Sequence, residues 1–320
     1  MSKRPLVITT AFSYEPSDLW PLLHSLHQFV PTADVLVLTS EDDLPILAPL
    51  KKIFPRLSLE TVAHPPQVIH GKFAVPRKLA ARTKRWFRRR QQNLLQHPSI
   101  AIEEARLLGL STAQAHFLIR RFFWARERLT QNRWCDHDPV MLCDVRDVVV
   151  QGNPFASINN CLITGEEFGL FDHCAMNRRW IRRAYGAEME QALCGRPALC
   201  AGVVMGSREQ VILYLDLFCT DALAIMHRHR TSCLENLDQA VHNKILRSPS
   251  ALQLSISAVN GPIATVGCVP AEDIRVPEGP EPVQILSRVP AVIHQYDRRV
   301  ELVRHVQSRH GLGSTTDLTP

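Results

Sequence analysis

With 320 residues, 45% of them hydrophobic, the chain can bury one large α/β core or two small ones, which excludes an intrinsically disordered protein. No stretch reaches the roughly 20 uncharged apolar residues that a membrane span needs, and residues 1–12 hold no signal-peptide cleavage pattern, so a cytoplasmic location is expected. The net charge of +6 is local: residues 77–90 (RKLAARTKRWFRRR) hold eight Lys or Arg and no acid, and +6 less these 8 leaves −2 on the remainder.

Taken in chain order, the first half alternates strand-like and helical runs: a strand at 6–12, a helix at 17–29, and strands at 35–40 and 57–62. That alternation predicts an α/β fold with parallel strands. Thr9, Thr10, Ala11 and Phe12 then fall at a strand end, where open α/β sheets receive ligands. Residues 63–110 read as a basic helical insertion. Trp86 and Phe87 among its cations suit an anionic membrane surface, a solvated helix face being the other reading. A nucleic-acid partner is disfavoured, because no RNA-binding signature accompanies the charge.

The spacing of Ala115, Leu118, Phe122, Ala125 and Leu129 predicts a helix over 113–129. At about 100° per residue, Arg121 borders this apolar stripe and Arg120 points away into solvent. Residues 139–155 (PVMLCDVRDVVVQGNPF) follow, an apolar strand that delivers Asp144 and Asp147 to its end. Paired carboxylates there suit a hard divalent cation; a cap or an ion pair with Arg146 is the plainer reading. Residues i and i+3 of an extended strand face opposite ways, so one ion can take both acids only if the chain turns at Val145-Arg146.

A strand at 161–169, an apolar segment at 198–206 bracketed by Gly202 and Gly206, and helices at 207–227 and 238–246 come next. Asp238 opens the last of these, where it could simply cap the helix. His294 ends a short apolar strand within AVIHQYDRR, before a basic helix and a polar tail from 311 to 320. There is no G-x-G-x-x-G and no G-x-x-x-x-G-K, which argues against a nicotinamide-type Rossmann enzyme and a phosphate-loop NTPase. Nine cysteines without a C-x-x-C spacing argue against a disulfide framework or a structural zinc site, and most read as small buried hydrophobes.

The order of these pieces resembles that of the GT-A nucleotide-sugar glycosyltransferases. DVRDVVVQGNPF, LCAGVVMG, DQAVHNKIL and VIHQYDRR are similar to the blocks of a bacterial and plant group of such transferases with DVRDVVFQ-type and HQYDR-type motifs. The resemblance spans roughly residues 1 to 300. It implies a GT-A-like single α/β domain over 1–310, with a mixed, mainly parallel central sheet flanked by helices.

By the same resemblance, Asp144, Asp147 and His294 would hold a metal. Mn²⁺ is favoured over Mg²⁺ because histidine suits it better. Thr10, Ala11 and Phe12 would line the base and ribose pocket, Arg121 would offset diphosphate charge, and Gly202 would let backbone approach the ligand. Asp238 and Gln239 would act at the donor sugar. Ala201 stands where the group more often has a polar residue. The implied activity is transfer from a nucleoside-diphosphate sugar, UDP favoured and GDP the alternative, to a glycan, lipid or other acceptor, with retention of configuration. The competing readings are a metal-dependent nucleotidyltransferase or nucleotide-sugar hydrolase, and a non-catalytic adaptor that docks on membranes through 77–90.

Overall fold

The computed structural model describes residues 3–62, 117–229 and 237–311. The expectations for the insertion at 63–110, the basic segment at 77–90 and the tail beyond 311 lie outside these residues.

Four parallel strands open the fold: β1 (Arg4–Ala11), β2 (Asp34–Thr39), β3 (Leu57–Thr61) and β4 (His137–Cys143). Between the first two runs α1 (Pro16–Phe29), whose first turn is set by Pro16 and by reciprocal capping between Glu15 and Asp18. Its Leu19, Leu22, Leu23 and Leu26 repeat at helical spacing and are buried. Two single-turn helices, α2 (Leu44–Leu47) and α3 (Leu50–Ile53), lead into β3, and α4 (Phe117–Leu129) precedes β4. The remaining strands are β5 (Val148–Val150), β6 (Leu162–Leu170), β7 (Pro197–Gly206), β8 (Leu254–Ser257), β9 (Ile263–Thr265) and β12 (Val292–His294), with β10 (Ile274–Arg275) and β11 (Gln284–Ile285) forming a separate ribbon. The remaining α-helices are α5 (Ala175–Tyr185), α6 (Ala187–Leu193), α7 (Arg208–His229), α8 (Asp238–Arg247) and α9 (Val300–His310).

The ten-stranded sheet runs β3-β2-β1-β4-β7-β6-β9-β12-β5, with β8 paired to β6. It is mixed and mostly parallel; β7 lies antiparallel between β4 and β6, and β5 antiparallel to β12. This path forces the sheet to curl. Five strand spacings separate β4 from β5, about 24 Å in a flat sheet. The chain from Cys143 to Val148 can span at most roughly 18 Å. A flat sheet is excluded, and the turn at 144–147 bridges the two ends of a curled one. One core packs α4, α7 and α8 on one face of the sheet, a second packs α1 on the other, and a third lies beneath α9.

The anticipated elements form with end shifts of one or two residues, and helix 113–129 is described from Phe117 onward. Arg120 departs from expectation. It is 2% exposed, lies 4.6 Å from the Trp124 ring, and burial pulls its pKa down to about 10. Its guanidinium folds back over Trp124, four residues on along the same helix face, rather than extending into solvent. Most of the described cysteines are likewise not fully buried: Cys143, Cys200 and Cys219 are, whereas Cys135 and Cys268 are exposed.

Candidate functional site

In the order β3-β2-β1-β4, the chain moves outward from β1 in one direction and then restarts on its other side. Ligands of open α/β sheets bind at such a reversal, beyond the carboxyl ends of the strands. Asp144 is the first residue past β4, at this point, and its backbone N–H donates to Gly202 O at 2.8 Å.

The chain then bends over 145–147, as a shared ion requires, before β5 begins. β12 holds that bend from the far side. His294 pairs with Val148, Gln295 adopts a left-handed conformation (φ 64°), and its N–H donates to Asp147 O at 2.8 Å. Tyr296 Oη donates to Arg146 O at 2.9 Å, and Asp297 accepts from Arg146 at 3.2 Å. The two motifs, 150 residues apart, therefore fold onto each other residue by residue, and the Arg146 ion pair is with Asp297 rather than with either acid of its own motif.

Asp144, Asp147 and His294 each present a ligand atom within 4.8 Å of the others. His294 Nε2 lies 3.5 Å from Asp144 Oδ2 and 3.5 Å from Asp147 Oδ2. Its other ring nitrogen is flanked at 3.4 Å by Cys200 Sγ and at 3.4 Å by Thr265 Oγ1, which fixes the ring. Burial alone would lower the His294 pKa. The Cys200 sulfur and the Asp147 carboxylate outweigh it and raise the value to about 10. Burial acts to raise Asp147, but its bond to His294 and the charges of His294, Arg146 and Arg298 hold it below the usual carboxylate range. Two acids and an imidazole at this separation could hold a metal ion, and Gly202 makes the space. A Cβ at 202 would collide with Cε1 and Nε2 of His294 and stand 2.9 Å from Asp144 Oδ2.

Asp144 joins this triangle to the rest of the site. Its Oδ1 accepts from Arg121, whose other terminal nitrogen donates to Asp238 Oδ2 at 3.2 Å. Leu237 is the N-cap of α8, so Asp238 occupies the first helical position and is not the cap. Gln239, next along, accepts from the Ala201 N–H at 3.0 Å and donates to Glu167 at 2.9 Å, and Glu167 also accepts from Asn177 at 3.1 Å. A hydrogen-bonded chain thus crosses the floor of a cleft of about 350 Å³, lined by Arg121, Asp144, Glu167, Asn177, Trp180, Gly202, Asp238, Gln239 and Arg298. Two guanidinium groups face three carboxylates there, and beneath them Asp147 lies against the cationic His294 ring, which leaves one net negative charge. Asn177 is 97% buried, yet its Oδ1, like Arg121 Nε and Thr9 Oγ1, has no hydrogen-bond partner among the described residues.

The anticipated base pocket differs in detail. Thr9 and Thr10 line a small space of about 20 Å³, room for about one water, against Arg121, Phe122 and Ala201. Ala11 is wholly buried in the core under α1, so its side chain does not reach the cleft, and Phe12 packs on Trp124 with ring centroids 5.4 Å apart. The structure brings Asp144, Asp147, His294, Arg121, Gly202, Asp238 and Gln239, all singled out from the sequence, together around one cleft. Sequence reasoning missed Glu167, Asn177 and Arg298. An acid within a strand signals the first, and the second Arg-containing half of VIHQYDRR signals the third; Asn177 carries no such signal. The chain matches no protein-family model and no curated protein.

Proposed function

We infer that the chain is a metal-dependent glycosyltransferase that uses a nucleoside-diphosphate sugar, with UDP as the favoured carrier. The observation that carries this reading is the Asp144–Asp147–His294 triangle at the strand-order reversal, joined through Arg121 to the Asp238–Gln239 pair. A divalent cation held by these three side chains would supply Lewis-acid stabilisation to the departing diphosphate.

The chain's own residues account for the rest. Arg121 orients Asp144 so that Oδ2 faces His294 while Oδ1 is occupied. Arg298 lines the cleft with no ion pair among the described residues, which makes it the guanidinium best suited to a phosphate oxygen. Arg121 is already shared by two carboxylates and acts as a positioning residue. Asp238, 9% exposed and at the cleft wall, suits contact with donor-sugar hydroxyls or with positive charge developing at the anomeric carbon. Gln239 is held at both ends, by Ala201 and Glu167, and fixes the wall next to it.

Incubation with UDP-sugars and Mn²⁺, followed by detection of released UDP and mass analysis of the product, tests the assignment. A glycosylated product supports transfer, release of free sugar alone indicates a hydrolase, and the anomer formed tests retention. Among the described residues no helix is long and apolar enough to cross a membrane.

A further inference from the structure

Helix α5 carries four arginines in eleven residues, AMNRRWIRRAY, and forms one wall of the cleft through Met176, Asn177 and Trp180. With Met176 set at 0°, helical geometry puts Trp180 at about 40° and Asn177 at about 100°, and on the other side Arg183 at about −20°, Arg179 at about −60°, Arg182 at about −120° and Arg178 at about −160°. The arginines therefore form a continuous strip that begins at the cleft rim and runs away from it. The strip faces a second concavity of about 490 Å³ between α5 and α6.

Two of the four are anchored. Glu190, 4% exposed, accepts from Arg178 at 2.8 Å and also from Arg182. Arg179 and Arg183 are exposed and form no ion pair among the described residues. Four guanidinium groups outnumber the buried Glu190 carboxylate and the nearby Asp172, which leaves a net positive charge in a concave surface, and planar guanidinium forks match phosphate oxygens in pairs. The functional reading of the cleft has no use for this charge, since a donor diphosphate would be met by the metal triangle and Arg298.

We propose that the α5 arginine strip is a binding site for a phosphate group, and that the transfer acceptor is a phosphorylated molecule which docks there and reaches into the cleft past Trp180. The docking role rests on the transferase reading; the binding of phosphate does not. The test uses the full chain in EDTA at low salt, with inorganic tripolyphosphate as the probe, followed by calorimetry. Arg179→Ala/Arg183→Ala binds about tenfold more weakly than wild type with an unchanged urea midpoint, because the two side chains support no ion pair of the fold. Wild-type affinity in the double variant overturns the proposal, as does loss of binding in Arg298→Gln alone, which puts the anion in the cleft.

Cosedimentation with phosphatidylcholine vesicles, with and without phosphatidylglycerol, then separates the sources of phosphate. Binding to the anionic vesicles that depends on Arg179 and Arg183 assigns a lipid head group. Tripolyphosphate binding without it assigns a soluble phosphorylated acceptor. Loss of tripolyphosphate binding in the double variant, in a protein that binds no nucleotide with Mn²⁺, would leave the phosphate site standing and remove its role as an acceptor dock.

Discussion

Replacing Gly202 with alanine sets two effects of opposite sign against each other. Gly202 does not have a positive φ, so alanine fits the backbone, and loss of glycine's freedom in the unfolded chain should stabilise by about 0.4–1 kcal/mol. Against this, the new Cβ collides with the His294 ring and crowds Asp144. That ring is 1% exposed and wedged by Cys200 and Thr265, so it can yield only by repacking, at a cost of about 1–3 kcal/mol. The collision wins, with a net loss of roughly 1 kcal/mol. More tellingly, the displacement separates Nε2 from Asp144 Oδ2, and Mn²⁺ affinity falls by about tenfold or more. Urea unfolding and Mn²⁺ calorimetry report the two effects separately. Gly152→Ala, whose Cβ meets nothing within 4 Å and whose φ is not positive, is the control: it should show only the gain of about 0.4–1 kcal/mol and leave Mn²⁺ affinity unchanged. Wild-type Mn²⁺ affinity in Gly202→Ala would refute the idea that this glycine makes room for the ion.

Three further outcomes are expected. Asp144→Ala lowers sugar transfer by about 10²-fold or more, the usual cost of losing a charge-stabilising group, and turnover at the wild-type rate would remove it from the site. Arg298→Gln weakens UDP binding by about tenfold while leaving Mn²⁺ binding intact, as calorimetry with each ligand alone and together would reveal. The third concerns acid stability. Burial, with His24, Arg309 and His305 nearby, pulls His310 down to about 4, and its Nδ1 meets His24 Nδ1 at 3.0 Å across the α1–α9 contact. The folded protein resists this proton and the unfolded chain accepts it near pH 6.5, so the contribution is full above 6.5 and is lost as pH falls towards 4. At pH 5 the loss is roughly 2 kcal/mol, and His310→Gln should shrink the fall in urea-derived stability between pH 7 and pH 5 by about that amount. An unaltered fall would show that His310 does not carry it.

The strands and helices legible in the sequence were those with strong apolar periodicity, such as β1, β2, β7 and α1. Helix α5 was invisible because AMNRRWIRRAY buries only Asn177, Ile181 and Ala184, too few apolar positions to outline a stripe among four arginines. The short strands β8 and β9 take their shape from neighbours in the sheet rather than from their own composition. At the site, the acids at the end of an apolar strand stood out as candidate ligands from their position, whereas His294 joined them only through the family resemblance, and the structure brings the three together. The need for a turn at Val145-Arg146 was also readable; what holds it, the Gln295 N–H and the Tyr296 hydroxyl, is a long-range contact that no local spacing encodes. Arg120 was misplaced because an angular position on the helix does not reveal that its guanidinium folds over the Trp124 ring. Glu167 and Asn177 escaped because they act through Gln239 and each other.

The central claim is tested most directly by calorimetric titration of UDP, and of GDP, into the protein with and without Mn²⁺, repeated with Asp144→Ala for the tighter ligand. The account predicts binding that requires Mn²⁺ and disappears in the variant. Failure of either nucleotide to bind in the presence of Mn²⁺, or equal binding by wild type and Asp144→Ala, would contradict a metal-dependent nucleotide-sugar site at the end of β4.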